Sequence, residues 1–505
     1  MKRLVVCCDG TWNTPEMESP TNVVRMAQAV SPRGTDGCLQ LVYYDEGVGT
    51  AGWMDRIAGG AMGEGLDLNV RQAYRFLANN HEAGDEIYLF GFSRGAYTAR
   101  SLAGLIGYAG MLGRHQLTHF AQAYELYRSE KEANGVAAKA FRAEHGTRVP
   151  EITLLGCWDT VGALGIPDKL PGIGLDRRFN RRYRWIDGQL GPHVANALHA
   201  VAIDERRREF APTRMRRGRE GQNLEEVWFP GDHGSVGGGT KHKEPLARFA
   251  LEWMAEGIAR HGLGLSVDTA FPGLAARDHN AYFSRDRNPI YGRRRRGLGD
   301  APVFHASAIA RFMDLPDYGE DLGGEQRGLL DAAAREVGTL GSLGLLPRRT
   351  ALEPRGRAQA IVHAERHRND TFVRMVAGAR YRLWAEPTQC WRDGDLPPCD
   401  ARGWHMDDEA LGTHFRRLSR MKRPLINLGR SRRVLPDANW LELVGILRAA
   451  DGREAPFRIG LKAEFDAPFD GHLLAFANDI QSRIDLMDSY DDNEGWLLLN
   501  IERMA

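Results

Sequence analysis

The sequence predicts an α/β protein: a doubly wound parallel sheet, then a helical segment, then a small C-terminal β-sandwich. Three observations predict it. Apolar runs of strand length alternate with amphipathic helical stretches over the first 240 residues, the pattern of a parallel sheet covered on both faces. The segment 301–425 reads as largely helical and rich in arginine. From about residue 426 short β-rich runs follow one another between turn residues, as in an antiparallel sandwich. A chain of 505 residues exceeds one ordinary core. The expected organisation is therefore an α/β unit over 1–300, a helical segment over 301–425 that completes or caps it, and a β-sandwich over 426–505.

The strands come in order. "RLVVCC" (3–8), "LQLVYY" (39–44), "EIYLFG" (86–91) and "EITLLGCW" (151–158) are almost uninterrupted apolar runs, expected of strands buried on both faces. Between them, "GLDLNVRQAYRFLANN" (65–80) sets Leu66, Val70, Ala73, Tyr74 and Leu77 along one helical face. "WLELVGIL", "FRIGLKAEF", "HLLAFAND" and "GWLLLNIER" supply the later strands.

Composition excludes several classes. Lys+Arg is 67 against Asp+Glu 66, so no overall charge imbalance points to nucleic acid. The arginine runs 206–208 and 293–296 read as solvated surface, with contact to an anionic headgroup as the sharper alternative. Five apolar residues separate the opening basic pair from Asp9, too few for a signal-peptide core, and no apolar run reaches the 18 residues of a spanning helix. The expectation is synthesis in a cytoplasm. Six cysteines are thinly spread, with no CxxC pair, which fits a reducing compartment. Cys390 and Cys399 are close enough in sequence to bridge a loop in an oxidising one.

The chemistry centres on "YLFGFSRGAYTAR" (88–100). Gly91-Phe92-Ser93-Arg94-Gly95 is a G-x-S-x-G pattern that a chain with 58 glycines can hold by chance. Its setting gives it weight. A strand precedes Ser93 and a helix-forming run follows, the strand–turn–helix context of a nucleophile elbow. The glycines leave room for a tight turn, and the amide of Arg94 can face a developing oxyanion at the helix start. The plain alternative is a serine that caps the helix. A serine nucleophile needs a base and an orienting acid. "LLGCWDTVGALG" places Asp159 just after an apolar strand, and "VWFPGDHGSVGGGT" places His233 in a glycine-dense loop. The order Ser, Asp, His is that of α/β hydrolases. Asp232 is a poorer acid, because adjacent side chains diverge. The loop "CDGTWN" after the first strand offers the Gly10 and Thr11 amides as a second oxyanion donor, with Asp9 bracing it or touching substrate.

"CCDGTWN", "YYDEGVGT", "GFSRGAYTAR", "CWDTVGALG", "AIDERRREFAPT" and "WFPGDHGSVGGG" together resemble the catalytic-domain motifs of the type VI secretion phospholipase effector family, over roughly residues 1–310. The resemblance implies an α/β-hydrolase fold, lipase or esterase action on glycerophospholipid, and a triad of Ser93, Asp159 and His233. It also implies a membrane surface as partner, with secretion machinery and an immunity protein, and no cofactor for catalysis. Ser235 stands where the family often carries an aspartate. Residues 471–503 resemble the last hairpin of calcium-dependent galactose-binding lectins. That resemblance implies a structural calcium on Asp479, Asp492 and Asn493, oxygen donors suited to a hard cation, although the linking loop Gln481 to Ser489 is longer.

Other readings compete. "CCDGT" resembles the D-x-D-G-T motif of haloacid-dehalogenase-type phosphatases, but Cys7 replaces the phosphoryl-accepting aspartate. A soluble ester is the alternative substrate. A glycan- or membrane-surface-binding protein with a relic hydrolase domain is the alternative to an enzyme.

Overall fold

The computed structural model describes residues 1–10, 13–14, 16–47, 61–129, 135–162, 188–271, 273–281, 283, 294–315, 318–319, 322–338, 350–366, 368–394, 396–405, 433–449, 451–479, 490 and 493–504. Thr11, Arg293 and Asp492 lie outside them. The chain divides into two compact units, Met1–Leu343 and Gly344–Ala505.

The first unit is built on seven parallel strands in the order β2-β1-β3-β4-β5-β6-β7. They are β1 (Lys2–Cys8), β2 (Leu39–Asp45), β3 (Glu86–Phe92), β4 (Ile152–Trp158), β5 (Val194–Ala202), β6 (Asn223–Phe229) and β7 (Val303–Phe304). The helices are α1 (Asn22–Ala29), α2 (Ala61–Asn80), α3 (Arg94–Ala109), α4 (Phe120–Ser129), α5 (Val136–His145), α6 (His233–Gly237), α7 (Glu244–Arg260), α8 (Ala306–Asp314) and α9 (Gly324–Val337). Successive strand residues point to opposite faces, and both faces of β1 are dry. Leu4, Val6 and Cys8 join a core with Val70, Tyr74 and Leu77 of α2 and Ala99, Leu102 and Ile106 of α3. Val5 and Cys7 join another with Val23 and Met26 of α1 and Phe249, Trp253 and Met254 of α7. Each fully buried aliphatic side chain contributes about 1.5–3 kcal/mol, so the uninterrupted apolar strands are a direct requirement of helices on both sides.

The order of the strands reverses around β1: the chain moves to one side for β2 and to the other for β3. The reversal falls between the carboxyl ends of β1 and β3, the position at which open parallel sheets place their sites. Asp9, Ser93 and Asp159 directly follow β1, β3 and β4, and His233 lies a few residues past β6.

The second unit corrects the expected boundaries. Among the described residues the helices α8 and α9 past residue 301 lie inside the first unit, and strands begin well before 426. They are β8 (Thr350–Ala351), β9 (Arg357–His363), β10 (Asn369–Met375), β11 (Arg380–Ala385), β12 (Trp391–Asp393), β13 (Leu443–Arg448), β14 (Glu454–Arg458), β15 (Lys462–Asp466), β16 (Gly471–Ala477) and β17 (Asn493–Arg503). The reason is a two-residue alternation: in β9, Arg357, Gln359 and Ile361 are exposed while Ala360 and Val362 are buried. One sheet runs β14-β13-β16-β10-β8 and the other β12-β17-β11-β15, with β9 paired to β17. Leu443, Leu447 and Leu473 of the first share a core with Leu383, Leu497 and Leu499 of the second. The six cysteines are free thiols, Cys390 exposed and Cys399 buried, so the Cys390–Cys399 bridge is not formed. Among the described residues no helix is long and apolar enough to cross a membrane.

Candidate active site

Ser93 links β3 to α3 with φ 58 and ψ −122, a backbone region that costs a non-glycine residue of order 1–3 kcal/mol. The turn leaves no room beside it. A Cβ on Gly91 would stand 2.5 Å from the Gly95 carbonyl oxygen and 2.6 Å from Ala96 Cα, and one on Gly95 would run into the Cys8 and Asp9 carbonyl oxygens. Helix α3 is thus pressed directly on the end of β1. The Ser93 hydroxyl makes no capping bond to α3, which removes the reading of a mere helix cap. It lies instead 2.8 Å from His233 Nε2, and His233 Nδ1 lies 2.6 Å from Asp159 Oδ2. Three segments far apart in sequence form one hydrogen-bonded chain.

Each member is held. His233 begins the one-turn helix α6, a small departure from the loop expected. Asp232 caps that helix by accepting from the Ser235 amide (3.0 Å) and hydroxyl (2.9 Å), and takes Lys243 Nζ at 2.6 Å. Asp232 is therefore turned away from the imidazole, and Ser235 serves the cap. Phe92 and Phe210 flank the ring, with centroids at 4.6 and 5.0 Å. The His233 amide donates to Glu205 Oε2 at 3.3 Å. Arg207 forks onto Glu205 and stacks over Phe210 at 3.6 Å. Burial pushes the Glu205 carboxyl up, but the Arg207 hydrogen bonds and charge prevail and hold it low.

Asp159 is fully buried, with φ 40. Its Oδ1 accepts from the Ala202 amide at 3.0 Å. Arg296 grips both oxygens, Nη1 on Oδ1 at 2.6 Å and Nη2 on Oδ2 at 3.0 Å. Burial acts to raise the carboxyl, and the Arg296 charge with the His233 hydrogen bond outweighs it, so the group is held far below the usual carboxylate range. Arg296 and Arg207 both belong to runs expected to be solvated surface. Arg207 is half-buried in a fork with Glu205 and Arg296 is buried, because each satisfies a buried carboxylate.

Asp9 is a brace. Its Oδ2 accepts from Thr21 Oγ1 (2.7 Å) and Tyr44 OH (2.8 Å), and its Oδ1 from the Gly10 amide (2.6 Å). The Gly10 amide is thereby turned to Asp9 rather than to an oxyanion, a correction to the role expected of it. Gly10 still packs on the elbow, since a Cβ there would stand 3.3 Å from Ser93 Cβ. Arg94 is the first residue of α3, where amides lack helical acceptors.

In the second unit, Asn493 Nδ2 donates to Asp479 Oδ2 at 3.0 Å, and Asn493 Oδ1 is buried without a partner among the described residues. Among the described residues no three His, Cys, Asp or Glu side chains cluster as metal ligands.

Asp45 ends β2 beside the loop that follows β1, its carbonyl accepting from the Asp9 amide at 2.9 Å. Burial, with Glu46 adding to it, pushes its carboxyl up to about 7. The folded state then keeps a proton that the unfolded chain releases near pH 4. The stability this gives is complete below about pH 4 and is lost as pH rises through 7. Unfolding by urea at pH 5 and pH 8 should show native protein losing on the order of 3 kcal/mol more than Asp45→Asn over that interval. Equal losses in both proteins would refute the assignment.

Fold and site define an α/β protein with a hydroxyl–imidazole–carboxylate chain at the carboxyl edge of a parallel sheet. The chain belongs to the family described as "T6SS, Phospholipase effector Tle1-like, catalytic domain", which matches residues 2–257, half of its length. A Saccharomyces cerevisiae protein, the uncharacterized protein YEL023C, is 29% identical over 232 residues, covering 41% of this chain and 32% of that protein. The chain thus spans about a third of the length of that curated relative. An uncharacterized protein from Pseudomonas aeruginosa is similar at 18% identity and TM-score 0.28, over 53% of this chain and 46% of that one. The Tle1 effector bound to the VgrG spike of the Type 6 secretion system is similar at 19% identity and TM-score 0.27, over 49% and 52%.

Proposed function

We propose that this protein is a serine-dependent phospholipase of α/β-hydrolase type that cleaves acyl esters of glycerophospholipids (A-type) and is delivered by a type VI secretion system. The observation that carries the reading is the Ser93–His233–Asp159 chain, at 2.8 and 2.6 Å, mounted on a strained strand-to-helix turn. Membership of a phospholipase effector family supports the phospholipid substrate and the type VI route.

His233 Nε2 takes the Ser93 proton as the oxygen attacks an ester carbonyl, then returns it to the departing lysolipid alcohol. The Arg94 amide and a Thr11 donor from the loop after β1 hold the oxyanion. Water, deprotonated by the same imidazole, releases the fatty acid. Asp159 stays ionised throughout and holds His233 in the tautomer with a proton on Nδ1. A calcium ion in the second unit would draw on Asp479 and on the unpartnered Oδ1 of Asn493.

Mass spectrometry of phospholipid vesicles incubated with native protein and Ser93→Ala tests nucleophile and substrate class together. Native protein should release free fatty acid and lysolipid, and Ser93→Ala should fall by at least about 10³-fold. Equal hydrolysis by both proteins would refute the reading. Serine-dependent cleavage of soluble esters with intact vesicles would favour an esterase. No cleavage of either, with saturable vesicle or glycan binding, would favour a surface-binding protein.

A further inference from the structure

Arg296 lies outside the residues matched by the family, 2–257. It nevertheless reaches the buried end of the Ser93–His233–Asp159 chain. Besides the two oxygens of Asp159, its guanidinium donates to the carbonyls of Ala202 (2.9 Å) and Phe210 (2.5 Å). Its own carbonyl is held by Gln326 Nε2 of α9 at 3.0 Å. From the same later segment the Tyr318 hydroxyl donates to Asp204 Oδ2 at 2.9 Å, and that oxygen also takes the Gly231 amide at 2.6 Å, two residues before His233. The segment after residue 290 is thus built into the supports of both the acid and the base.

We propose that Arg296 is a positioning residue of the proton-transfer chain: its two-bond grip fixes the plane of the Asp159 carboxylate, and its charge lies against the carboxylate that orients His233. The inference rests on the reading of Ser93 as nucleophile. Two effects are distinct. Two parallel N–H bonds from a planar guanidinium allow one carboxylate orientation, the one that aims Oδ2 at His233 Nδ1. The positive charge opposes a second positive charge on the adjoining imidazole, and in a buried site this opposition is weakly screened.

The other charges around the pair come from every neighbouring element. Glu205 faces the His233 amide and is forked by Arg207. Asp232 and Lys243 pair beside α6. Asp204 lies under Gly231. On the strand side, His199 Nε2 takes the Thr160 amide at 3.2 Å, and Glu226 bridges His199 to Arg214. Arg296 alone among the described groups contacts the Asp159 carboxylate with a full positive charge.

The test is the pH dependence of kcat/KM on a soluble ester, with the rate of fluorophosphonate labelling of Ser93 as a second readout, in native protein, Arg296→Gln and Arg296→Lys. In Arg296→Gln the acidic limb should move up by about one pH unit, and the plateau kcat should fall about 10–100-fold with KM little changed. Arg296→Lys keeps the charge but not the fork, so its acidic limb should stay with the native one while its plateau kcat falls about tenfold. An Arg296→Gln protein with the native limb and plateau would overturn the proposal. So would Arg296→Lys at the native plateau, or a loss in either variant accounted for entirely by a smaller fraction of labelled Ser93. Native protein that neither turns over ester nor reacts with fluorophosphonate would instead remove the nucleophile reading, and this inference with it.

Discussion

Asp159→Asn should lower kcat about 10⁴-fold and destabilise the fold by about 3 kcal/mol. The two effects have separate causes. An amide can present its oxygen to His233 or to Arg296 but cannot accept from both as a carboxylate does, and presenting its NH2 to His233 selects the wrong tautomer. Stability falls because Arg296, itself buried, loses its counter-charge. Stopped-flow acylation and urea unfolding measure the two independently. A fall of less than tenfold in kcat would show that Asp159 does not orient the base, and an unchanged unfolding midpoint would show that its pairing with Arg296 has no net worth.

Gly95→Ala carries the other large effect. The new methyl has nowhere to go: it would overlap the carbonyl oxygens of Cys8 and Asp9, which are backbone and cannot swing aside. Either α3 lifts from β1 or the elbow opens. The expected cost is about 3 kcal/mol or more, with Ser93 no longer placed against His233 Nε2. Differential scanning calorimetry and fluorophosphonate labelling check both parts. A variant that melts within a degree of native protein and labels at the native rate would show that the close approach of α3 to β1 is not required.

Much of the first unit was legible because its signals are local. Apolar runs gave β1 to β4, and a strand, a tight glycine turn and a helix-forming run marked Ser93. His233 and Asp159 were legible from their places after strands, since a parallel sheet gathers its carboxyl-edge loops whatever their distance in sequence. Arg296 was not. Nothing in a run of arginines tells which one turns inward, and the carboxylate that claims it lies 137 residues away. The turn of the Gly10 amide to Asp9 was not legible either, because a loop's position can be read from sequence but the direction of its N–H groups cannot. In 301–425 the arginines of β9, β10 and β11 obscured a strand alternation that was present in "RAQAIVH" and "YRLWA". The signal lies in the residues between those arginines, Ala360 and Val362 in β9 and Tyr381 and Leu383 in β11, which are the buried ones.

The segments that support the serine begin near residue 9 and include Arg296. Contacts so remote along the chain carry a large loop-closure cost. On the reading of Ser93 as nucleophile, a nascent chain, or one kept extended, holds a hydroxyl no more reactive than that of any other serine. Reactivity on that reading is a property of the assembled supports, and it arrives only when segments remote in sequence have met.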